Sequence, residues 1–169
     1  MPLLLWRLLT LLLVALSMAL SFCHLMEMPV RLSWEPALWM QTTNFGGLYY
    51  LFGRVGAAID VSAIAAAAVL AVLTRQRRPS FQLTIAGALL MAAGLAAWFG
   101  FVAPMNAIMA GWTAGTVPPD FAAVRDQWEY SHATIAAIKI AGLVLLLLSV
   151  LVETERYARV IRATQPASE

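Results

Sequence analysis

The chain has 169 residues, of which 62% are hydrophobic and only 12% are charged, and its mean hydropathy is +0.78. Soluble domains usually carry about 25% charged residues, so this composition excludes an ordinary soluble enzyme and indicates an integral membrane protein. The basic residues are nearly all arginines that flank apolar segments. That pattern indicates membrane topology and gives no sign of nucleic-acid binding.

Four segments are long and apolar enough to cross the hydrocarbon core, which takes about 20 helical residues. They cover residues 8–28, 48–73, 81–104 and 131–152. None alternates apolar and polar residues as a membrane barrel strand would, so the sequence predicts an all-α, four-helix transmembrane bundle. The bundle forms one domain over residues 1–162, with a polar, disordered tail at 163–169. A cleaved signal peptide is the alternative for the first segment, although its length favours a retained span.

The basic residues outside the spans are distributed unevenly between the two sides of the predicted bundle. Two of them, Arg31 and Arg125, lie on one side. Seven lie on the other side, namely Arg7, Arg75, Arg77, Arg78, Arg156, Arg159 and Arg162. The positive-inside rule therefore predicts that both termini are cytoplasmic. The two longer connections, 29–47 and 105–130, then lie outside and carry aromatic residues that suit either an interfacial belt or a lid over a pocket.

Asp60 and Lys139 lie within predicted spans, where an ionisable side chain needs a partner or a function. Counted along straight helices, both stand about 20 Å above the cytoplasmic ends of their spans. We therefore predict a buried ion pair between them, which fixes the helices or, alternatively, carries protons.

A second polar layer is predicted nearer the outer surface, at heights of about 24 to 30 Å. His24 and Glu27 are three residues apart on the first helix, and Glu129 and His132 are three apart at the start of the fourth. Each pair therefore shares a helix face. Two histidines and two carboxylates from facing helices are a candidate site for iron, copper or zinc.

The same layer also permits chemistry without a metal. His132 or Glu27 would remove a proton from a substrate, while Arg54 and Asn106 would stabilise the oxyanion that forms. Arg54 and Asn106 stand where a carboxylate-bridged metal site would need further acidic ligands. The sequence leaves both alternatives open.

Two motifs resemble the anthrone-oxygenase-like family of small four-helix membrane proteins, and specifically its bacterial branch. The first is the run from His24 to Pro29, followed by Trp39 and by Leu48-Tyr49-Tyr50. The second consists of Phe101, Pro104, Asn106, Trp112, Phe121, Arg125, Trp128 and His132. The resemblance covers residues 19–152.

The resemblance implies an inner-membrane protein of a bacterium that oxygenates an anthrone to an anthraquinone, as fungal members do, although most bacterial members have no established function. It also implies that His132 and Asn106 are site residues. Two other functions stay open from the residues alone. One is a non-catalytic subunit that binds a quinone, a pigment or haem, and the other is a small proton-coupled carrier. The expected partners are the lipid bilayer and a lipophilic small molecule, with self-association or a second subunit left open.

Overall fold

The computed structural model describes residues 2–164, which form long helices and contain no strand. The helical elements are α1 (Pro2–Leu32), the short α2 (Pro36–Trp39) with a π-helical turn (Met40–Phe45), α3 (Leu48–Thr74), α4 (Ser80–Ala97), a second π-helical turn (Trp98–Val102), α5 (Ala103–Met109) and α6 (Phe121–Thr164). Four of these stretches are long and apolar enough to cross a membrane. The predicted all-α, four-helix bundle is therefore confirmed.

The four long helices form a closed ring. Helix α1 packs against α3 and α6, and α4 packs against the same two neighbours. The closest approach is between α4 and α6, where an added Cβ at Gly87 would lie 2.9 Å from the carbonyl oxygen of Gly142. Small residues let helix backbones approach this closely, and in lipid such packing replaces the burial of apolar surface as the source of association.

Pro104 interrupts the third span without ending it. A proline inside a helix has no N–H to donate, and its ring clashes with the carbonyl group four residues earlier. The chain accommodates Pro104 by widening into the π-helical turn Trp98–Val102, after which α5 begins. The widened turn redirects the chain, so that Asn106 on α5 lines a cavity inside the bundle.

The helices extend further than the hydropathy pattern predicts. Helix α1 continues through Pro29 to Leu32, and α6 begins at Phe121 instead of at residue 131. Both outer connections are therefore largely helical, and Arg31 and Glu129 belong to the bundle. Helix α6 also includes residues 163 and 164 of the predicted tail, while 165–169 lie outside the described residues.

The core consists of two apolar clusters at different levels. One surrounds Val14, Ala63, Met91 and Leu146 in the half of the bundle that carries most arginines. The other lies in the opposite half and contains Trp39, Met40, Val102, Met109, Phe121, Val124, Trp128 and Ile135. Within this second half, the polar side chains of the bundle meet aromatic rings.

The contact between α4 and α6 gives the first prediction. In Gly87→Ala, the new methyl group would lie 2.8 Å from Cγ of Leu146 and 2.9 Å from the Gly142 carbonyl oxygen, so the helices must separate. We expect a loss of about 1 to 3 kcal/mol in unfolding free energy, as for other overpacked cores. The measurement is reversible unfolding in mixed micelles.

Gly53→Ala is the matched control, because an added Cβ at Gly53 has no atom within 4 Å. This variant should be as stable as the parent or slightly more stable, since alanine favours the helix. Equal unfolding free energies for the two variants would show that the α4–α6 contact is not tightly packed.

Candidate functional site

A cavity of about 490 Å³ opens among the helices in the half of the bundle that contains the aromatic cluster. Its apolar walls come mainly from rings, namely Phe45, Tyr49, Tyr50, Phe52, Trp98 and Trp128. Its polar side chains, apart from the tyrosines, are Ser21, His24, Thr43, Asn44, Asp60, Asn106, His132 and Lys139. Concave, mostly apolar space with a few converging polar groups is typical of a small-molecule site.

His24 of α1 and His132 of α6 stack against each other on the cavity wall. Their ring centroids are 4.2 Å apart with an interplanar angle of 19°. The ring of Tyr49 stacks on His24 at 5.0 Å, and the ring of Trp128 contacts His132 edge-on at 4.3 Å. Both histidines are buried. Among the described residues, Nδ1 of His24 has no hydrogen-bond partner.

The hydroxyl of Thr43 is a second buried polar atom that lacks a partner within residues 2–164. Thr43 lies in the π-helical turn that follows α2, and it lines the same cavity as His24. Buried polar atoms are nearly always satisfied, and an exception calls for an explanation such as a ligand or a water molecule. Both residues line the cavity, but the two atoms themselves are covered, so a ligand in the cavity would reach them only when a neighbouring side chain moves.

Arg31 organises the region behind the histidines. Its Nε and one of its terminal nitrogens donate to the two carboxylate oxygens of Glu129, at 2.8 and 2.6 Å. The indole N–H of Trp39 donates to the same carboxylate at 2.9 Å. The side chains of Arg31 and Glu129 are 1% and 0% exposed, so this ion pair is fully buried and links α1 to α6.

The remaining N–H groups of Arg31 reach the first and third helices. One terminal nitrogen donates to Glu27 at 2.5 Å and to the hydroxyl of Tyr49 at 2.9 Å, and the other donates to the carbonyl oxygen of His24 at 3.0 Å. The Tyr49 hydroxyl in turn donates to Glu27 at 2.7 Å. A guanidinium has five N–H donors, and here all five have acceptors. Arg31 therefore fixes the backbone carbonyl group of His24 and the hydroxyl group of Tyr49.

Asn106 is held in place by Trp128. The indole N–H of Trp128 donates to Oδ1 of Asn106 at 2.9 Å. This hydrogen bond occupies the acceptor end of the amide and leaves its NH₂ end as the donor that a ligand would meet. Because Trp128 also contacts His132, these three side chains form one continuous part of the cavity wall.

Asp60 and Lys139 form the polar end of the cavity nearer the middle of the bundle. Nζ of Lys139 donates to both carboxylate oxygens of Asp60 at 2.8 Å, as their matched depths predict. The hydroxyl of Ser17 also donates to Asp60, at 2.5 Å. A pair with this geometry offsets the cost of placing two charges within a membrane span.

The structure brings together only part of the predicted site. His24, His132 and Asn106 line the cavity, whereas Arg54 does not. Arg54 is exposed, with its guanidinium carbon 4.5 Å from the ring centroid of Tyr50, a lining residue one turn away on the same face of α3. Its predicted contact with an oxyanion in this cavity is corrected: the height was suitable, but the guanidinium packs on Tyr50 at the exposed surface and does not line the cavity.

The predicted metal ligands are not assembled either. The carboxylates of Glu27 and Glu129 bind Arg31 instead of turning to the two histidines, and neither residue lines the cavity. Within residues 2–164, no three His, Cys, Asp or Glu side chains converge as metal ligands. Glu27, the other predicted base, accepts hydrogen bonds from Arg31 and Tyr49 and does not line the cavity. Direct stacking of His24 on His132 leaves no space for a haem iron between the rings.

Three residues of the site were missed in the sequence, namely Arg31, Trp39 and Tyr49. From the sequence, Arg31 is expected in the connection 29–47, and the aromatic residues of that connection, which include Trp39, are interpreted as a belt or a lid; Tyr49 is expected at the start of the second span. The spacing of Glu27 and Arg31, four residues apart, was the available signal, because such a pair shares a face only if the helix continues.

Together, the fold and the cavity describe a bundle of four helices long and apolar enough to span a membrane, with an aromatic cavity whose wall carries two imidazoles. No protein-family model, curated protein or solved structure matches this chain. The interpretation of the site therefore depends on its own geometry.

The buried ion pair gives the second prediction. Glu129→Gln removes the carboxylate that binds two nitrogens of Arg31, and we expect a loss of about 3 kcal/mol or more in unfolding free energy. Glu35→Gln removes an exposed carboxylate at the same end of the bundle and should change stability by less than about 0.5 kcal/mol. Unfolding of both variants in mixed micelles tests this, and a loss as small in Glu129→Gln as in the control would contradict it.

The third prediction concerns Asp60 and Lys139. Asp60→Asn or Lys139→Met alone leaves one charge buried without its counter-ion, so each should destabilise the bundle more than the double variant does. The double-mutant cycle is measured by the same unfolding assay. Additive losses would mean that the two charges are not coupled.

Proposed function

We propose that this protein is a membrane oxygenase that binds a lipophilic aromatic substrate of the anthrone class, removes a proton from it and allows the carbanion to react with O₂. The observation that carries the proposal is the stacked pair of His24 and His132 on the wall of an aromatic cavity, with Nδ1 of His24 unpartnered within the described chain. The resemblance of the Asn106 and His132 motif to anthrone-oxygenase-like proteins supports the same assignment.

The dimensions and walls of the cavity suit a planar aromatic molecule. Its volume of about 490 Å³ lies within the range of small-molecule sites, about 300 to 1,000 Å³. Rings from three parts of the chain, Phe52, Trp98 and Trp128, offer surfaces on which fused aromatic rings pack with offset or edge-on geometry. Because the bundle is apolar on its outside, such a substrate would enter from the bilayer.

The proton acceptor is His24. An imidazole nitrogen without a hydrogen has a free lone pair, and Nδ1 of His24 has no competing donor among residues 2–164. The carbonyl oxygen of His24 accepts from Arg31, which fixes this turn of α1, and the stacked rings of His132 and Tyr49 fix the orientation of the imidazole. The base is thus held rigidly at the cavity wall before the substrate arrives.

The negative charge that forms on the substrate's ketone oxygen needs hydrogen-bond donors. The NH₂ group of Asn106 can supply one, and the unpartnered hydroxyl of the lining residue Thr43 can supply a second once the groups that cover it move. Asn106 is oriented for this role by Trp128, whose N–H occupies its carbonyl oxygen. Asn106 thus keeps its role in the predicted scheme, and Thr43 takes the place of Arg54.

The reaction balances with O₂ as the oxidant. Loss of one proton from the ring CH₂ gives an enolate, and its carbanion form adds O₂ to make a carbon–oxygen bond and a peroxide. The peroxide O–O bond then breaks as the second hydrogen leaves the same carbon, giving a second ketone and one water. The substrate supplies all the electrons, so the protein needs to provide only a base, hydrogen-bond donors for the oxyanion, and a site that excludes water.

The fourth prediction is that His132→Ala and His24→Gln each reduce turnover of anthrone by at least about 100-fold, the usual contribution of a general base and its support. The assay follows O₂ consumption and anthraquinone absorbance with protein in liposomes. Circular dichroism and unfolding midpoints should show that both variants remain folded.

Arg54→Gln is the matched control and should keep full activity, because Arg54 lies outside the cavity. If the unaltered protein binds anthrone, as judged by tryptophan quenching, but consumes no O₂, the site belongs to a non-catalytic binding subunit. Loss of folding in both histidine variants would assign the stacked pair a structural role.

A further inference from the structure

A second cavity lies at the opposite end of the bundle and is independent of the proposed oxygenase site. It has a volume of about 730 Å³ and is formed by the start of α1, the turn between α3 and α4 and the far part of α6. Five arginines line it, namely Arg7, Arg75, Arg77, Arg78 and Arg156. Glu153 is the one carboxylate among the lining residues that the structure describes, so the lining carries four more positive than negative charges.

Part of this positive charge is neutralised within the protein. Glu153 of α6 receives hydrogen bonds from both Arg7 and Arg77, which joins the start of α1 to the turn before α4. Arg156 donates to the carbonyl oxygen of Arg78. One carboxylate shared by two guanidinium groups leaves the cavity strongly positive, and such a cavity attracts an external anion.

The position of the cavity suggests the kind of anion. It lies near the end of the apolar surface of the bundle, because Leu8, which follows Arg7, is 54% exposed, and Leu73, two residues before Arg75, is 50% exposed. Large exposed apolar side chains of this kind are suited to contact with the acyl chains of lipids. Arginines just beyond an acyl-covered surface stand at the depth of lipid headgroups, and this end is the one that the distribution of arginines predicts to be cytoplasmic.

We propose that this cavity binds the phosphate group of an anionic phospholipid, such as phosphatidylglycerol, whose acyl chains lie along the exposed leucines. The guanidinium fork matches two phosphate oxygens, and several arginines from separate elements can surround one phosphate. Inorganic phosphate offers the same chemistry without acyl chains, and the experiment separates the two sources.

The structure supplies a natural probe for the test. Trp6 lies beside Arg7, with its indole N–H bonded to the carbonyl oxygen of Ala66, whereas the other five tryptophans follow Arg31 in the chain and belong to the opposite half. Lipids brominated on the acyl chain quench a tryptophan that they contact. The protein is placed in liposomes containing equal fractions of brominated phosphatidylglycerol or brominated phosphatidylcholine, and Trp6→Phe identifies the Trp6 signal.

We expect brominated phosphatidylglycerol to quench Trp6 at several-fold lower mole fraction than brominated phosphatidylcholine does. In Arg75→Gln/Arg78→Gln this preference should be lost, because each arginine near a lipid headgroup contributes about fivefold to the affinity for an anionic lipid. Arg54→Gln, which removes an exposed arginine at the other end, should leave it unchanged. Both altered side chains of the double variant are exposed, so folding should be retained, and the unfolding midpoint checks this.

Equal quenching by the two lipids, or a preference that survives in the double variant, would overturn the proposal. Competition by millimolar inorganic phosphate, at a constant ionic strength set with chloride, would also overturn the lipid assignment and assign the cavity to a soluble phosphate. A preference that phosphate does not displace, and that the double variant loses, supports the phospholipid site.

Discussion

The complete satisfaction of the Arg31 guanidinium is the constraint on which the functional half of the bundle depends. Its five N–H groups contact acceptors on α1, α3 and α6, and through Glu129 it also holds the indole of Trp39. A buried guanidinium with missing acceptors would be very costly at this depth. The helices therefore have one relative arrangement in which this charge is tolerated, and that arrangement also creates the cavity.

The Arg31 network keeps its three charged side chains out of the lining of the cavity. Glu129 and Glu27 neutralise Arg31, and none of these three residues lines the cavity. Near the two imidazoles the wall therefore consists of aromatic rings and the amide of Asn106, while the charged residues Asp60 and Lys139 line another part of it. Within the Asp60–Lys139 pair, each charge is neutralised by the other, so the pair adds no net charge to the cavity.

Hydropathy predicted the four spans because the requirement to satisfy every backbone group in lipid leaves little alternative to long helices. Counting the rise per residue also placed His24 and His132 at similar heights, and their rings stack. It did not predict which way a side chain points. Arg54 and Arg31 show the difference: the first has a suitable height but faces outward, and the second was placed outside the helix that brings it into the site.

The two ends of the bundle handle positive charge in opposite ways. Arg31 has two carboxylates within hydrogen-bond distance, so its charge needs nothing from outside the protein. At the other end, Glu153 serves two of the five arginines that line one cavity. A charge that is balanced internally rigidifies the fold, whereas an excess at the depth of the headgroups is stabilised best by a counter-ion from the bilayer. The unequal pairing of arginines thus distinguishes the end at which we propose a substrate site from the end at which we propose a lipid site.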